Sequence, residues 1–209
     1  MLVSGNGSNL QAIIDQINEA SLDATICAVI SDKADAYGLA RARQQGIPAI
    51  QVIPEANQDR TDYDRRLQSE IDELQPDWII LAGFMRILSD DFVNHYLGQM
   101  INIHPSLLPK YKGLDTHQRV LDAGDKTHGA SVHFVTPKLD DGPVIMQASL
   151  LIRADETARE LKQRIHELEH QLYPHVIGLL CRQRIVYNEG MIMFDHVPIS
   201  TPLTLTLAH

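Results

Sequence analysis

The sequence has 209 residues, of which 44% are hydrophobic and 22% are charged, proportions that are ordinary for a globular protein. At about 150 residues per domain, this length predicts one domain with a full hydrophobic core. The net charge is −9, from 18 basic and 27 acidic residues, and Lys and Arg form no dense run, so we expect no nucleic-acid partner.

Signals for export or membrane insertion are missing from the sequence. It contains no signal peptide, no transit peptide and no apolar run of about 18 residues, so neither secretion nor a membrane-spanning segment is expected. Cys27 and Cys181 lie far apart and match no metal or redox motif. We interpret both as reduced, small apolar core residues of a cytoplasmic protein.

The first half alternates short apolar runs with helical patterns, which is typical of parallel strands joined by right-handed crossovers. Strands are predicted at residues 2–3, 24–30, 49–53, 78–82 and 100–103. Helices are predicted at residues 10–17, 34–44, 61–74 and 90–96. The pattern indicates an α/β fold with a doubly wound, mostly parallel open sheet, a fold that binds ligands beyond the carboxyl ends of its strands.

The pattern changes after Lys110. Two strand-like runs, 130–135 and 143–148, are close in sequence and predict an antiparallel hairpin that extends one side of the sheet. A long helix over 157–180 and a short strand over 184–187 are expected to follow. We assign residues 1–190 to a single domain and 191–209 to a C-terminal tail, mobile from Pro198 onward.

A polar pair stands at the end of the fifth predicted strand. Asn102 and His104 are two residues apart, so on a strand their side chains share one face, and the segment Pro105-Ser106-Leu107-Leu108-Pro109 stiffens the exit. A carboxamide beside an imidazole can hold an oxyanion and manage a proton, as attack on a carbonyl requires. A strand end capped by a satisfied Asn and His is an equally simple explanation.

The loop Ser4-Gly5-Asn6-Gly7-Ser8-Asn9 joins the first predicted strand to the first helix. Backbone N–H groups and the helix dipole favour a phosphate at that place. A dinucleotide fingerprint is incomplete, because Leu10 stands where a third Gly or Ala is required, although Asp32 could act as a ribose-binding acid. A tight turn without a ligand is the simpler alternative.

Taken together, these segments resemble the folate-dependent glycinamide ribonucleotide formyltransferase family. The matching blocks are residues 4–11, 82–88, 102–111, 128–135 and 139–144. The resemblance implies transfer of a formyl group from 10-formyltetrahydrofolate, a co-substrate, to the amine of 5-phosphoribosylglycinamide in purine biosynthesis. It also implies direct attack through a tetrahedral intermediate, with no metal and no covalent enzyme intermediate, by a monomer or homodimer.

The resemblance implies a role for each matching residue. Asn102, His104 and Asp140 would be catalytic, and the negative charge of Asp140 would favour the imidazolium form of His104. Asp140 would also order a water for proton transfer, and His133 would lie near this centre unless it is an ordinary strand residue. Nucleotide contacts are implied for Asn6, Gly7, Ser8, Asn9, Ser131 and Glu169. Folate contacts are implied for Arg60, Met85, Arg86, Ile87, Leu88, Asn102, Thr136, Pro137, Lys138, Leu139 and Asp140.

Several positions depart from the family pattern. Lys112 replaces a commonly seen Pro and Asp115 a commonly seen His, which affects the expected order of their loop and the affinity for substrate. Fewer residues precede Ser4 than is usual in the family, where the first strand is longer, so we expect a weaker central sheet. Without the resemblance, the simplest interpretation of Arg86 is a solvated charge in a loop, and that of Arg60 is a residue at the start of a helix.

Alternative functions make different demands on the sequence. His166-Glu167-Leu168-Glu169-His170 matches the H-E-x-x-H helix of zinc peptidases, but Tyr173 stands where the extended motif requires Gly. Methionyl-tRNA formyltransferase and formyltetrahydrofolate hydrolase usually carry an additional domain, so we expect neither in this length. A non-catalytic nucleotide-binding module would need residues 4–9 but not Asn102, His104 and Asp140 together.

Overall fold

The computed structural model of the protein describes residues 1–206, and the first half alternates strands with helices. The strands there are β1 (Leu2–Val3), β2 (Val29–Ser31), β3 (Ala49–Gln51), β4 (Ile79–Leu81) and β5 (Met100–His104). The helices are α1 (Ser8–Asn18), α2 (Tyr37–Gln44), α3 (Arg60–Leu74) and α4 (Asp90–His95). The five strands run parallel in the order β3-β2-β1-β4-β5, which confirms the predicted doubly wound sheet.

The second half adds antiparallel strands and a long helix. Its elements are α5 (Thr116–Asp122), β6 (Thr127–Phe134), β7 (Val144–Leu151), α6 (Ala158–Cys181), β8 (Ile185–Asn188), β9 (Met191–Phe194), β10 (Val197–Ile199) and β11 (Leu203–Thr204). The predicted hairpin is confirmed, since β6 pairs antiparallel with both β5 and β7. Strands β8, β9 and β10 form a separate antiparallel sheet. None of the helices within the described residues has the length and apolar character needed to cross a membrane.

The prediction of a mobile tail from Pro198 is wrong for part of that segment. Strand β10 pairs with β9, and β11 adds a parallel edge strand to β7, where Leu203 pairs with Met146 and Thr204 with Gln147. An edge strand of two residues has too little periodicity to be recognised without the strand that it joins. Residues 207–209 lie outside the described part of the chain, and the domain division at residue 190 stays a prediction.

The second strand is shorter than predicted. Residues 24–28 match the apolar pattern, but β2 begins at Val29 because β1 supplies only Leu2 and Val3 to the ladder, opposite Ile30 and Ser31. Cys27 in this unpaired segment is exposed, and so is Cys181 at the end of α6. The prediction that both cysteines are core residues is therefore wrong.

Helix α6 is anchored to the sheet through a buried tyrosine. Thr157 and Glu160 form a capping box at its start, and a stripe of apolar side chains along the helix packs on the sheet. Within that buried face, the Tyr173 hydroxyl lies 2.9 Å from the Leu81 carbonyl oxygen and 3.2 Å from that of Ile101. These bonds hold α6 against β4 and β5, one turn from Glu169.

We expect Tyr173→Phe to lower the free energy of unfolding by about 1–3 kcal/mol, because the substitution removes a buried donor that two strand carbonyl groups share. Urea unfolding followed by circular dichroism measures this change. Tyr37→Phe is the control, since the Tyr37 side chain is half exposed on α2. Equal stability of the two variants would contradict the anchoring role.

Candidate active site

The loop between β1 and α1 is shaped by two glycines and an arginine. Gly7 has a φ of 72° and directly precedes α1, and a Cβ on Gly7 would lie 2.8 Å from the Cα of Gly38. Having no side chain, Gly7 leaves the backbone N–H groups of the first helical turn uncapped, as an anion site requires. Arg41 on α2 donates to the backbone and side-chain oxygens of Asn6 at 2.9 and 3.1 Å. No motif in the sequence points to Arg41, because its contact with Asn6 spans 35 residues.

Glu169 faces the same loop from α6. Its carboxylate accepts a hydrogen bond of 2.9 Å from the side-chain amide of Asn9, and Glu169 is only 4% exposed. Burial raises the pKa of Glu169 to about 7. The structure therefore brings together two predicted nucleotide contacts that lie 160 residues apart.

The raised pKa predicts a pH dependence of stability. Because folding favours the protonated form of Glu169, its contribution is neutral below its unfolded pKa of about 4.3 and becomes destabilising as the pH rises toward 7. We expect Glu169→Gln, which still accepts from Asn9, to raise the free energy of unfolding at pH 8 by up to about 3 kcal/mol and to change it little at pH 4. Urea unfolding at the two pH values measures this, and an equal effect at both would refute the assignment.

Asn102 and His133 are paired across β5 and β6. The Asn102 side-chain nitrogen lies 3.2 Å from Nε2 of His133, and Nδ1 of His133 lies 3.0 Å from the carbonyl oxygen of Phe134. A carbonyl only accepts, so Nδ1 carries the proton and Nε2 accepts from the amide. Burial lowers the pKa of His133, consistent with this neutral form. His133 therefore orients Asn102 and leaves the second amide N–H for a substrate oxygen.

His104 lies between a carbonyl and a carboxylate. Its Nε2 is 2.9 Å from the backbone oxygen of Tyr111, and its Nδ1 is 3.5 Å from Oδ2 of Asp140. The Tyr111 carbonyl can only accept, so Nε2 carries a proton and donates to it, while Nδ1 faces the carboxylate of Asp140 at ion-pair distance. The side chains of His104 and Asp140 are each 8% exposed, which limits screening of the pair by water.

Asp140 reaches His104 because the loop of residues 135–143 folds back across the face of the sheet that carries Asn102 and His104. Oδ1 of Asp140 lies 3.8 Å from Nε2 of His133, but that nitrogen is unprotonated and forms no ion pair. Gly142 makes this path possible, since a Cβ there would collide with the Phe134 carbonyl. The three predicted catalytic residues thus meet at one place.

Ser131 forms buried hydrogen bonds to the segment that follows His104. It is fully buried, and its hydroxyl donates to the Ser106 carbonyl at 2.6 Å. The same oxygen accepts from the Leu108 N–H at 3.0 Å and from the Gln147 amide at 2.9 Å. Ser131 therefore fixes the segment after His104, and a direct contact with the nucleotide stays a prediction that this geometry does not favour.

Residues 83–89 follow β4, the neighbour of β5. Met85 and Ile87 are exposed, at 65% and 57%, whereas Leu88 is buried. The N–H of Met85 donates to the Ser4 hydroxyl at 2.8 Å, and this hydroxyl donates to Asp32 at 2.6 Å. Asp32 is thus used inside the protein rather than as a ribose-binding acid. The exposed apolar side chains of Met85 and Ile87 lie on a backbone that is held in place by hydrogen bonds. Such a surface suits an aromatic ligand.

The other predicted folate contacts lie on three different segments of the chain. The guanidinium of Arg86 lies 4.1 Å from the centre of the Tyr63 ring, so Arg86 packs on α3 and is not a solvated loop charge. Arg60 is exposed as the first residue of α3. Thr136, Pro137, Lys138 and Leu139 lie in the loop that leads to Asp140. Their contact with folate stays a prediction.

The H-E-x-x-H segment lies on α6, as predicted. The rings of His166 and His170 are 6.4 Å apart on one face, and burial lowers the pKa of both. Across residues 1–206, no group of three or more His, Cys, Asp or Glu side chains is arranged to hold a metal ion. Glu169 within the motif faces Asn9, so we interpret the two histidines as packing residues.

Comparison with known proteins gives a consistent match. The formyl transferase family model matches residues 1–177. The phosphoribosylglycinamide formyltransferase of Escherichia coli (strain K12) is 51% identical over 93% of this chain and 92% of that protein. The Haemophilus influenzae protein of the same name is 40% identical over the same shares. The solved phosphoribosylglycinamide formyltransferase of Coxiella burnetii is 50% identical, with a TM-score of 0.94 over 98% of this chain and 97% of that one.

Proposed function

The chain belongs to the formyl transferase family, among the phosphoribosylglycinamide formyltransferases, and on this basis we propose that it transfers the formyl group of 10-formyltetrahydrofolate to the amine of 5-phosphoribosylglycinamide in purine biosynthesis. The observation that carries the proposal is the convergence of Asn102, His104 and Asp140 on one face of the sheet. A carboxamide, an imidazole and a carboxylate together meet the needs of formyl transfer to an amine.

The reaction begins when the amine nitrogen attacks the formyl carbon. A carbon–nitrogen bond forms, and the carbonyl electron pair moves to oxygen. The spare amide N–H of Asn102 and the positive charge of His104 stabilise the resulting oxyanion. Preorganised donors of this kind typically contribute factors of about 10²–10³ to the rate.

The intermediate collapses when the bond between the formyl carbon and the folate nitrogen breaks. The attacking nitrogen gives up a proton, and the leaving folate nitrogen takes one, so the proton count balances. We assign this transfer to a water ordered by Asp140, whose second role is to hold His104 by charge. None of these steps requires a covalent bond between the formyl group and the protein.

The two substrates are assigned to different sides of the reacting centre. The phosphate is placed at the start of α1 on the backbone of Gly7, Ser8 and Asn9, with Glu169 reaching the nucleotide through the same loop. The aromatic part of folate is placed against Met85, Ile87 and Leu139, which are exposed apolar side chains. All these residues lie within residues 1–190, which we propose as the catalytic domain. We place the protein in the cytoplasm.

Turnover assays with one or both substrates test the function. The protein should release tetrahydrofolate only when 10-formyltetrahydrofolate and 5-phosphoribosylglycinamide are both present, and treatment with a chelator should leave the rate unchanged. Release without the nucleotide would indicate a hydrolase, and transfer to methionyl-tRNA would indicate the other transferase. Binding of the nucleotide with no release would indicate a non-catalytic module.

A further inference from the structure

Residues 111–113 lie across the His104–Asp140 pair. The backbone oxygen of Tyr111 accepts from Nε2 of His104 at 2.9 Å, and the backbone N–H of Gly113 donates to Oδ2 of Asp140 at 2.9 Å. The same Oδ2 atom faces Nδ1 of His104. One short backbone segment therefore sets the position of both members of the pair.

Lys112 lies between these two contacts and points its charge at the neighbouring loop. Its ammonium group forms an ion pair with Asp141, the residue that follows Asp140, and Lys138 pairs with Asp141 from the same loop at 2.6 Å. The two lysines lower the pKa of Asp141 to about 2, so this carboxylate is ionised at neutral pH. Lys112 thus joins the segment of residues 111–113 to the loop that carries Asp140.

The opposite side of the segment is held by α5 and the turn after it. Arg119 donates to the backbone oxygens of Lys112 and Leu114 at 2.6 and 3.1 Å. Lys110 and Tyr111 both contact Asp125. These bonds fix the segment to α5 but not to the loop of Asp140, so the distance between the two loops depends on contacts at Lys112 and Gly113.

We infer that Lys112, through its ion pair with Asp141, is a positioning residue that keeps the Gly113 N–H on Asp140 and the Tyr111 carbonyl on His104. As far as turnover is concerned, the inference rests on the proposed function. Lys112 and Asp141 are 32% and 31% exposed, so the pair contributes modestly, and we expect effects of about two- to fivefold. Lys112, one of the positions where the sequence departs from the family pattern, is thereby assigned a specific structural role.

Hydrogen exchange at the Gly113 amide, measured by NMR, tests the inference directly. Lys112→Met should speed this exchange about two- to fivefold. Lys112→Arg keeps the positive charge and should exchange at the wild-type rate. The Leu108 amide, which donates to the Ser131 hydroxyl, is the internal reference and should not change. Asp141→Asn should speed the exchange less when it is added to Lys112→Met than when it is made alone, because the Lys112 ion pair is then already absent and only the pair with Lys138 in the same loop is lost.

Arg65→Met is the matched control, since it removes another exposed ion pair, with Asp62 on α3. High salt should speed Gly113 exchange in the wild type but not in Lys112→Met, because salt screens the pair. Unchanged Gly113 exchange in Lys112→Met, or an equal change in Arg65→Met, would overturn the inference.

Turnover separates this inference from the proposed function. If both hold, Lys112→Met should lower kcat by up to about fivefold, with a smaller change in KM for either substrate. A protein that never turns over but shows the exchange effect would refute the function and support the positioning role. A wild type that turns over, with kcat unaffected in Lys112→Met, would refute the catalytic consequence of the ion pair.

Discussion

Replacing His104 with Ala is expected to lower kcat at least about 100-fold, the usual scale for losing an acid–base or oxyanion group. In the proposed mechanism His104 supplies the positive charge at the reacting centre, and its removal also leaves Asp140 without its partner at 3.5 Å. Nucleotide binding should persist, because the loop before α1 and Glu169 lie on other elements. Steady-state turnover, nucleotide binding by calorimetry and circular dichroism separate these effects.

His95→Ala is the control for this substitution. His95 on α4 lies 3.5 Å from Asp72, the same separation as in the proposed catalytic pair, but both side chains are about half exposed. Its loss should leave turnover unchanged. If His104→Ala kept the wild-type rate, His104 would be removed from the mechanism.

Asp140→Asn is expected to lower kcat by about two orders of magnitude, because an amide neither stabilises the imidazolium by charge nor accepts a proton. The backbone at this position has a φ of 47°, a left-handed conformation that Asn adopts readily, so the fold should be retained. The rate of formyl transfer and the free energy of unfolding measure the two effects separately.

Asp72→Asn, which changes the partner in the exposed pair, is the matching control and should keep the wild-type rate. An Asp140→Asn protein that turned over within a few fold of the wild type would show that the carboxylate is not needed. A large loss of stability without an effect on kcat in the folded fraction would assign Asp140 a purely structural role.

The parallel half of the fold could be predicted because its signals are local. Apolar runs such as Ile79–Leu81 and amphipathic helices such as Arg60–Leu74 each carry their own periodicity. The strands at the end of the chain could not be predicted in the same way. Strand β11 exists because β7 offers an open edge, which is a property of the folded sheet.

The candidate site shows the same division. Asn102 and His104 can be recognised in the sequence as a polar pair two residues apart. The resemblance to the formyltransferase family adds Asp140 and Glu169. The backbone contacts that position His104 and Asp140 come from Tyr111 and Gly113, and the residue types at those positions do not reveal them. Long-range side-chain contacts, such as that of Arg41 with Asn6, require the fold itself.

Tracing an isotope-labelled formyl carbon tests the central claim most directly. The protein is mixed with ¹³C-formyl-labelled 10-formyltetrahydrofolate and 5-phosphoribosylglycinamide, and the products are followed by NMR. We predict that the label moves from folate to the nucleotide amine with the wild type and stays on folate with His104→Ala over the same time. Label recovered as formate, or attached to the protein, would contradict direct transfer at Asn102, His104 and Asp140.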